Sequence, residues 1–375
     1  MTSSAVRGTP GSPAPARTLR LAVEASANSA DWADFVREAE RLGAYAAWTP
    51  EMWGYDALTQ LGYLAAQTSA IRLGSSIVQL GARTPAMLAM SAMSLQQLTG
   101  GRFVLGVGVG GPQVMEGWHG VPFGKPIQMT RETIEIIRMI SRGDRLEYQG
   151  HVYRLPRPGG PGRALRSQAP PVHVPIYVAA IGPANLRLTG ELADGWLGNA
   201  FIPESAGEFL ADLRDGAASA GRTLADLDLQ VPVAAEFTED VGEAVARHAA
   251  GYAFTIGAMG SGTRNFYNDA FARQGFGDEV RAVQRLWRDG RRDEAARLVP
   301  RAICEKTNLL GTPAMIRERL RLYRRAGVST LALKLSGPLS ARLATLGQMI
   351  ELAAEVNREQ PPGPGRAAVN QPGRN

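Results

Sequence analysis

Eight short apolar runs, each followed by a polar or amphipathic stretch, recur between residues 19 and 357, and this alternation limits the fold more than any other feature. Short runs rich in Val, Ile and Leu, alternating with segments of helical period, are the pattern of repeated βα units around a parallel sheet. Residues 19–25 form the first run, followed by a helix in which Trp32, Phe35, Val36, Ala39 and Leu42 share one face until Gly43 ends it. Residues 45–49 with a helix over about 56–69 make the second unit, and residues 71–78 with a helix opening at Thr84-Pro85 make the third. The remaining strands are expected at 103–109, 175–180, 196–200, 229–235 and 330–335, with helices over 129–141, 184–193, 312–326 and from the last strand to 357. Two excursions interrupt the series, one Pro/Gly-rich and ending near Pro171, the other over about 251–298. Eight strands over about 340 residues predict an α/β protein, a (β/α)8 TIM barrel with insertions, with a doubly wound Rossmann-like sheet as the alternative.

The composition, 45% hydrophobic and 20% charged over 375 residues, suits one large packed core. Residues 1–17 and 359–375, rich in Pro, Gly and small polar residues, are expected to be flexible tails around a barrel spanning 18–358. The formal charge of +6 includes Arg7, Arg17, Arg366 and Arg374 in those ends, and about +2 remains without them. No basic cluster interleaved with aromatics stands out, so nucleic acid is not an expected partner. Cys304 is the sole cysteine, which excludes an internal disulfide and fits a reducing compartment; it is read as a small helix residue. His119, His151, His173 and His248 are dispersed, with neither i, i+4 nor HExxH spacing, so no metal is expected. With no stretch of about twenty apolar residues and no apolar leader, the protein is expected to be cytoplasmic and off the membrane.

In a barrel of this kind the loops after the strand C-termini build the active site. After the fourth strand comes GVGVGGPQVMEGWHGVPF, residues 106–123. Gly106, Gly108 and Gly111 satisfy GxGxxG, but a dinucleotide fingerprint belongs in the first βα turn and opens a helix at once, whereas Pro112, Gly117, Gly120 and Pro122 prolong an irregular loop here. These glycines are read as letting backbone approach a flat ring or a tight barrel interior. Gln113, Glu116, Trp118 and His119 crowd into the same loop. After the fifth strand, VAAIGPAN (178–185) ends in small residues and Gly182-Pro183, leaving backbone N–H groups and the positive end of a helix for a phosphate. After the second strand, WTPEMWGYD (48–56) carries Glu51, a proton donor if burial raises its pKa, or a hydrogen-bond partner for a cofactor.

With these loops in place, the chain resembles the F420-dependent branch of the luciferase-like oxidoreductases, which includes methylenetetrahydromethanopterin reductase and sugar-phosphate dehydrogenases. The resemblance runs from about Leu19 to Leu335 and is strongest in LGSSIVQLGARTPAMLAMSAMSLQQLTGGRFVLGVGVGGPQ, VAAIGPANLRLTGELADGW and GAMGSGTRNFYNDAFARQGF. It implies coenzyme F420, with FMN as the alternative cofactor, held by Ser75, Ser76 and Ile77, by Val109, Gly110, Gly111, Pro112 and Gln113, and by Ala180, Ile181, Gly182, Pro183 and Asn185. It also implies a non-prolyl cis peptide at Ser76-Ile77, supporting the deazaflavin ring. Substrate contacts are expected from Met52, Trp53 and Trp118, and from Asn265, Tyr267 and Asn268 in the second excursion.

The implied reaction is hydride transfer between the deazaflavin and a small organic substrate, with F420H2 reducing a C=C or C=N bond and Glu51, Glu116 or His119 delivering the proton. Relatives that oxidise sugar phosphates carry Asp-His where Glu51-Met52 stands, a carboxylate where Gly111 stands, and a lysine in the stretch Asn199, Ala200, Phe201, Ile202. A less anionic substrate is therefore expected. An FMN-dependent monooxygenase and a non-catalytic cofactor-binding protein are the alternatives, and the resemblance allows a homodimer.

Overall fold

The structure is a computed structural model that describes residues 17–259 and 265–359. The expected tails lie outside the described residues except for Arg17 and Glu359, as do residues 260–264 of the insertion motif. The first half runs β1 (Arg20–Glu24), α1 (Trp32–Leu42), β2 (Ala46–Thr49), α2 (Ala57–Gln67), β3 (Arg72–Ser75), β4 (Val78–Leu80), α3 (Pro85–Leu98), β5 (Phe103–Val109), α4 (Pro112–Met115) and α5 (Pro126–Ser141). It continues through β6 (Tyr148–Gln149), β7 (Arg154–Leu155), β8 (Ile176–Ala179), α6 (Pro183–Leu192), β9 (Gly195–Leu197), α7 (Gly207–Ser219), β10 (Asp228–Phe237) and α8 (Val241–Ala258). The last part holds α9 (Phe266–Phe271), α10 (Gly277–Arg288), α11 (Arg292–Leu298), α12 (Arg301–Thr307), β11 (Leu309–Gly311), α13 (Pro313–Arg325), β12 (Thr330–Lys334) and α14 (Leu339–Arg358).

Parallel pairing runs β10, β12, β1, β2, β3, β5, β8, β9 and back to β10, so the sheet closes on itself. That closure makes the fold the expected (β/α)8 barrel and removes the open-sheet alternative. The local signals act as read: Thr84 accepts from Met87 N at 3.2 Å with Pro85 opening α3, and Gly43 ends α1 at φ 90°.

Strand alternation divides the apolar residues into two layers. On β1, Leu21 and Val23 join the layer beneath the helices, while Ala22 joins Ala46, Trp48, Val104, Tyr177, Leu197 and Ala332 inside the barrel. Mostly small inward residues leave room for two rings, Trp48 and Tyr177, whose centroids lie 5.7 Å apart. At the N-terminal end of the barrel, Asp228 accepts from Tyr177 Oη at 2.8 Å and Thr330 Oγ1 at 3.1 Å and pairs with Arg20 at 2.7 Å. Those bonds stitch the seam between β10, β12 and β1. Burial, then the Asp228 charge, push the Tyr177 hydroxyl up, so it stays a donor.

The third strand is broken: β3 stops at Ser75 and β4 resumes along β5 at Val78. The sixth ends at Leu197 and not at Ala200, because Ala200 sits at φ 52°, outside any strand conformation. Residues 201–227, for which no helix is expected, contain α7, whose buried face is Phe209, Leu210, Leu213, Gly216 and Ala217. The first excursion folds as the β6–β7 hairpin, whose tip is held by buried Glu132 accepting from His151 N at 2.6 Å, Val152 N at 3.0 Å and Tyr153 N at 2.8 Å. The described part of the second excursion is largely helical. Cys304 is buried in α12, and burial pushes its thiol up to about 12. No described helix is long and apolar enough to cross a membrane.

Candidate active site

The break in the third barrel strand lies at the C-terminal mouth. The Ser76-Ile77 peptide is cis, at the bond the resemblance implied. Ser75 Oγ donates to Gly106 O at 2.8 Å and accepts from Gly106 N at 3.0 Å, so this hydroxyl is spent on β5. A Cβ at Gly106 would overlap the Ser75 carbonyl oxygen and press on Leu197 Cδ1 at 2.9 Å, which is why this position is glycine. One residue beyond Ser75, Ser76 donates its N–H to Thr49 O at 2.9 Å, and its buried Oγ has no partner. A Cβ at Gly108 would stand only 3.0–3.2 Å from side-chain carbons of Ile77 and Ala179, so Ile77, Gly108 and Ala179 form a narrow apolar floor.

Glu51, in the loop after β2, lies in a charge cluster. Its Oε1 accepts from Arg83 Nη1 at 2.8 Å, and its Oε2 from Arg83 Nη2 at 2.7 Å and Ala57 N at 3.0 Å. Arg83 also pairs with Asp56, which caps α2 by accepting from Thr59 N at 2.6 Å. The hydrogen bond to Glu51 holds the Arg83 guanidinium above its ordinary value. Burial works to raise the Asp56 carboxyl, but the Thr59 and Arg83 bonds win and keep it below the usual range. Gripped at both oxygens by one guanidinium, Glu51 ties the loop after β2 to Arg83.

Gln79 links this cluster to the loop after β5. Its Nε2 donates to Met52 O at 3.1 Å, leaving Oε1 to face His119 Nε2 at 3.2 Å. Val109 ends β5, Gly110 and Gly111 turn the chain, and Pro112 and Gln113 open α4, one helical turn where an irregular loop was expected. Glu116 is exposed and accepts from Phe123 N at 3.0 Å. Met52, Trp53 and Trp118 are 46, 45 and 64% exposed, an apolar rim open to solvent.

Across the mouth, Ala180 accepts from Trp196 Nε1 at 2.8 Å, and Gly182-Pro183 opens α6 with no side-chain cap. The amides of Ala184 and Asn185 then lack intrahelical acceptors and point out of the helix end. Asn185 Nδ2 donates to Ala179 O at 3.3 Å while its buried Oδ1 has no partner. The insertion reaches this point: Arg273 Nη2 donates to Ile181 O at 2.5 Å. Asn265 proves to be the cap of α9, accepting from Tyr267 N at 3.0 Å and Asn268 N at 3.2 Å and donating to Ile256 O at 2.7 Å. These three bonds of its side chain all stay within the insertion. Tyr267 is half-buried, and burial raises its hydroxyl; Asn268 is 7% exposed with neither amide atom partnered.

Over residues 6–330 the sequence matches the family described as luciferase-like monooxygenase. The chain belongs to the luciferase-like monooxygenase family. Within curated proteins it is 37% identical, over 80% of this chain and 89% of the other, to a Mycobacterium tuberculosis protein provisionally described as a coenzyme F420-dependent oxidoreductase. To the 5,10-methylenetetrahydromethanopterin reductase of Archaeoglobus fulgidus it is 26% identical, over 79% of this chain and 86% of that one. The solved structure of the F420-dependent tetrahydromethanopterin reductase from Methanopyrus kandleri superposes with a TM-score of 0.74 at 23% identity, covering 90% of this chain and 98% of that one, and so shares its fold.

On this luciferase-like scaffold, sequence reasoning missed Gln79, Arg83 and Arg273. Gln79 and Arg83 follow the broken strand in VQLGARTP, where a buried amide and an arginine in an otherwise apolar run were the available signal. Arg273 had no signal beyond its place in the insertion.

Proposed function

We propose that this luciferase-like protein is an F420-dependent oxidoreductase in which F420H2 reduces a C=C or C=N bond of a small organic substrate. The observation that carries the reading is the 37% identity, over most of both chains, to a protein described as F420-dependent. The mouth fits the two ends of such a cofactor. Ser76, Ile77, Gly108 and Ala179 would hold the ring, with Ser76 Oγ supplying a polar atom that otherwise lacks a partner. The Gly182, Ala184 and Asn185 backbone at the positive end of α6 would hold the phosphate. When bound, F420 supplies or accepts a hydride at C5.

The chain's own tasks are to hold the two reacting faces together, keep water out and move a proton. His119 is the residue best arranged for the last. Because Gln79 spends its amide N–H on Met52 O, its Oε1 must accept from His119 Nε2–H, so Nδ1 is the position that would take up a proton from solvent and pass it to the substrate. Glu116 already accepts from Phe123 N and anchors its own loop. Met52 and Gly111, with no ionisable group, favour an uncharged or weakly anionic substrate. In anaerobic stopped-flow oxidation of F420H2 by a panel of unsaturated compounds, His119→Asn should lower kcat by at least about 100-fold, while Glu116→Gln stays close to wild type. Wild-type turnover by the His119 variant would remove it from the mechanism, and no oxidation with any compound would favour a protein that only binds its cofactor.

A further inference from the structure

After α9 the insertion passes through a π-helical stretch, Ala272–Phe276, in which Gly275 at φ 94° turns the path into α10. Two consecutive side chains of that stretch grip two consecutive mouth loops. Gln274 Nε2 donates to Ala200 O at 2.6 Å and its Oε1 accepts from Ile202 N at 2.9 Å, pinning the loop after β9. Arg273 donates to Ile181 O in the loop after β8, and its guanidinium lies 5.6 Å from the centre of the buried Phe209 ring. A guanidinium carries five N–H donors in a rigid fork, and Arg273 spends one on Ile181. Its Nε is buried without a partner, and no carboxylate among the described residues pairs with it.

This arrangement is unfavourable as it stands. A half-buried cation lacking a counter-charge is costly, and Arg273 stands beside the uncapped start of α6, which is itself positive. Two positive features converging on Ile181-Gly182 repel each other unless an anion lies between them. The ring contact with Phe209 and the single carbonyl bond orient the arginine but do not neutralise it.

We propose that Arg273 is a cofactor-binding residue by which the insertion closes over the anionic phosphodiester of F420 at the α6 N-terminus. The assignment rests on the F420 reading above. The phosphate completes the arginine's fork from one side and accepts from the Ala184 and Asn185 amides on the other. Binding of the cofactor thus secures the insertion to the barrel mouth.

The test is equilibrium binding, by deazaflavin fluorescence, of F420 and of its phosphate-free fragment, the ring with its ribityl chain alone. Arg273→Gln should weaken F420 roughly 10- to 100-fold and leave the fragment within about twofold of wild type, with Arg273→Lys between the two. Thermal melting of the unliganded variants supplies the structural control. Equal losses for F420 and fragment would make Arg273 a structural strut. Unchanged F420 affinity with a raised substrate KM would assign its charge to a substrate anion. Either result overturns the proposal while leaving the cofactor reading intact. Failure of the wild-type protein to bind F420 at all would instead sink that reading, and this assignment with it.

Discussion

Gly106→Ala is expected to destabilise the protein by more than the ~3 kcal/mol upper end of ordinary overpacking, because the obstacle is backbone and cannot rotate away. The added methyl would overlap the Ser75 carbonyl oxygen, and the same backbone segment is tied to β5 by the Ser75 hydroxyl in both directions. Making room means parting β3 from β5 next to Ser76-Ile77, so the ring floor and the barrel wall fail together. Gly182→Ala is the control: a Cβ there meets nothing within 4 Å, and the backbone is extended, so its stability should change by less than about 0.5 kcal/mol. Urea denaturation of both variants checks the contrast. Wild-type stability of the Gly106 variant would mean that β3 and β5 are not held as described.

The second large effect concerns Glu51 and Arg83. Arg83→Met should cost about 3 kcal/mol, because it strands Glu51, whose side chain is only 8% exposed, without its cation. The Asp56 arm adds little, since that carboxylate is 40% exposed and screened by solvent. Glu51→Gln should lower the melting temperature as well, and the double variant Glu51→Leu/Arg83→Met should regain most of the loss, as replacing both members of a buried pair by apolar groups often does. A Glu51→Gln protein that melts normally but has lost turnover would assign proton transfer to Glu51. The pH dependence has a defined sign. Asp56 is depressed in the folded state, so its contribution to stability is present above the ordinary carboxylate range and is lost as pH falls through its lowered value.

The barrel was legible because each of its βα units repeats the same physical demand, an apolar strand buried on both faces and a helix with one apolar stripe. The first helix, with Phe35, Val36 and Ala39 buried, is the clearest case. The two-residue strands β6 and β7 and three-residue β11 are too short to show any period, and the apolar stripe of α7 is interrupted by Gly216. The mouth was legible where backbone chemistry decides, at Gly182-Pro183. It was illegible where a side chain's partner lies far along the chain. Glu51 looks the same in sequence whether it faces solvent or Arg83, 32 residues on, and Asn265 looks like a ligand residue until α9 is seen to begin there.

If this luciferase-like mouth is built for the deazaflavin, a side-by-side equilibrium titration of the wild-type protein with F420 and FMN, in oxidised and reduced forms, will separate the two cofactors. F420 should bind at least about tenfold more tightly than FMN, a difference of about 1.4 kcal/mol, and the bound absorbance should be the single deazaflavin band. Tighter binding of FMN, with its two-band flavin spectrum and oxygen consumption on reduction, would contradict it.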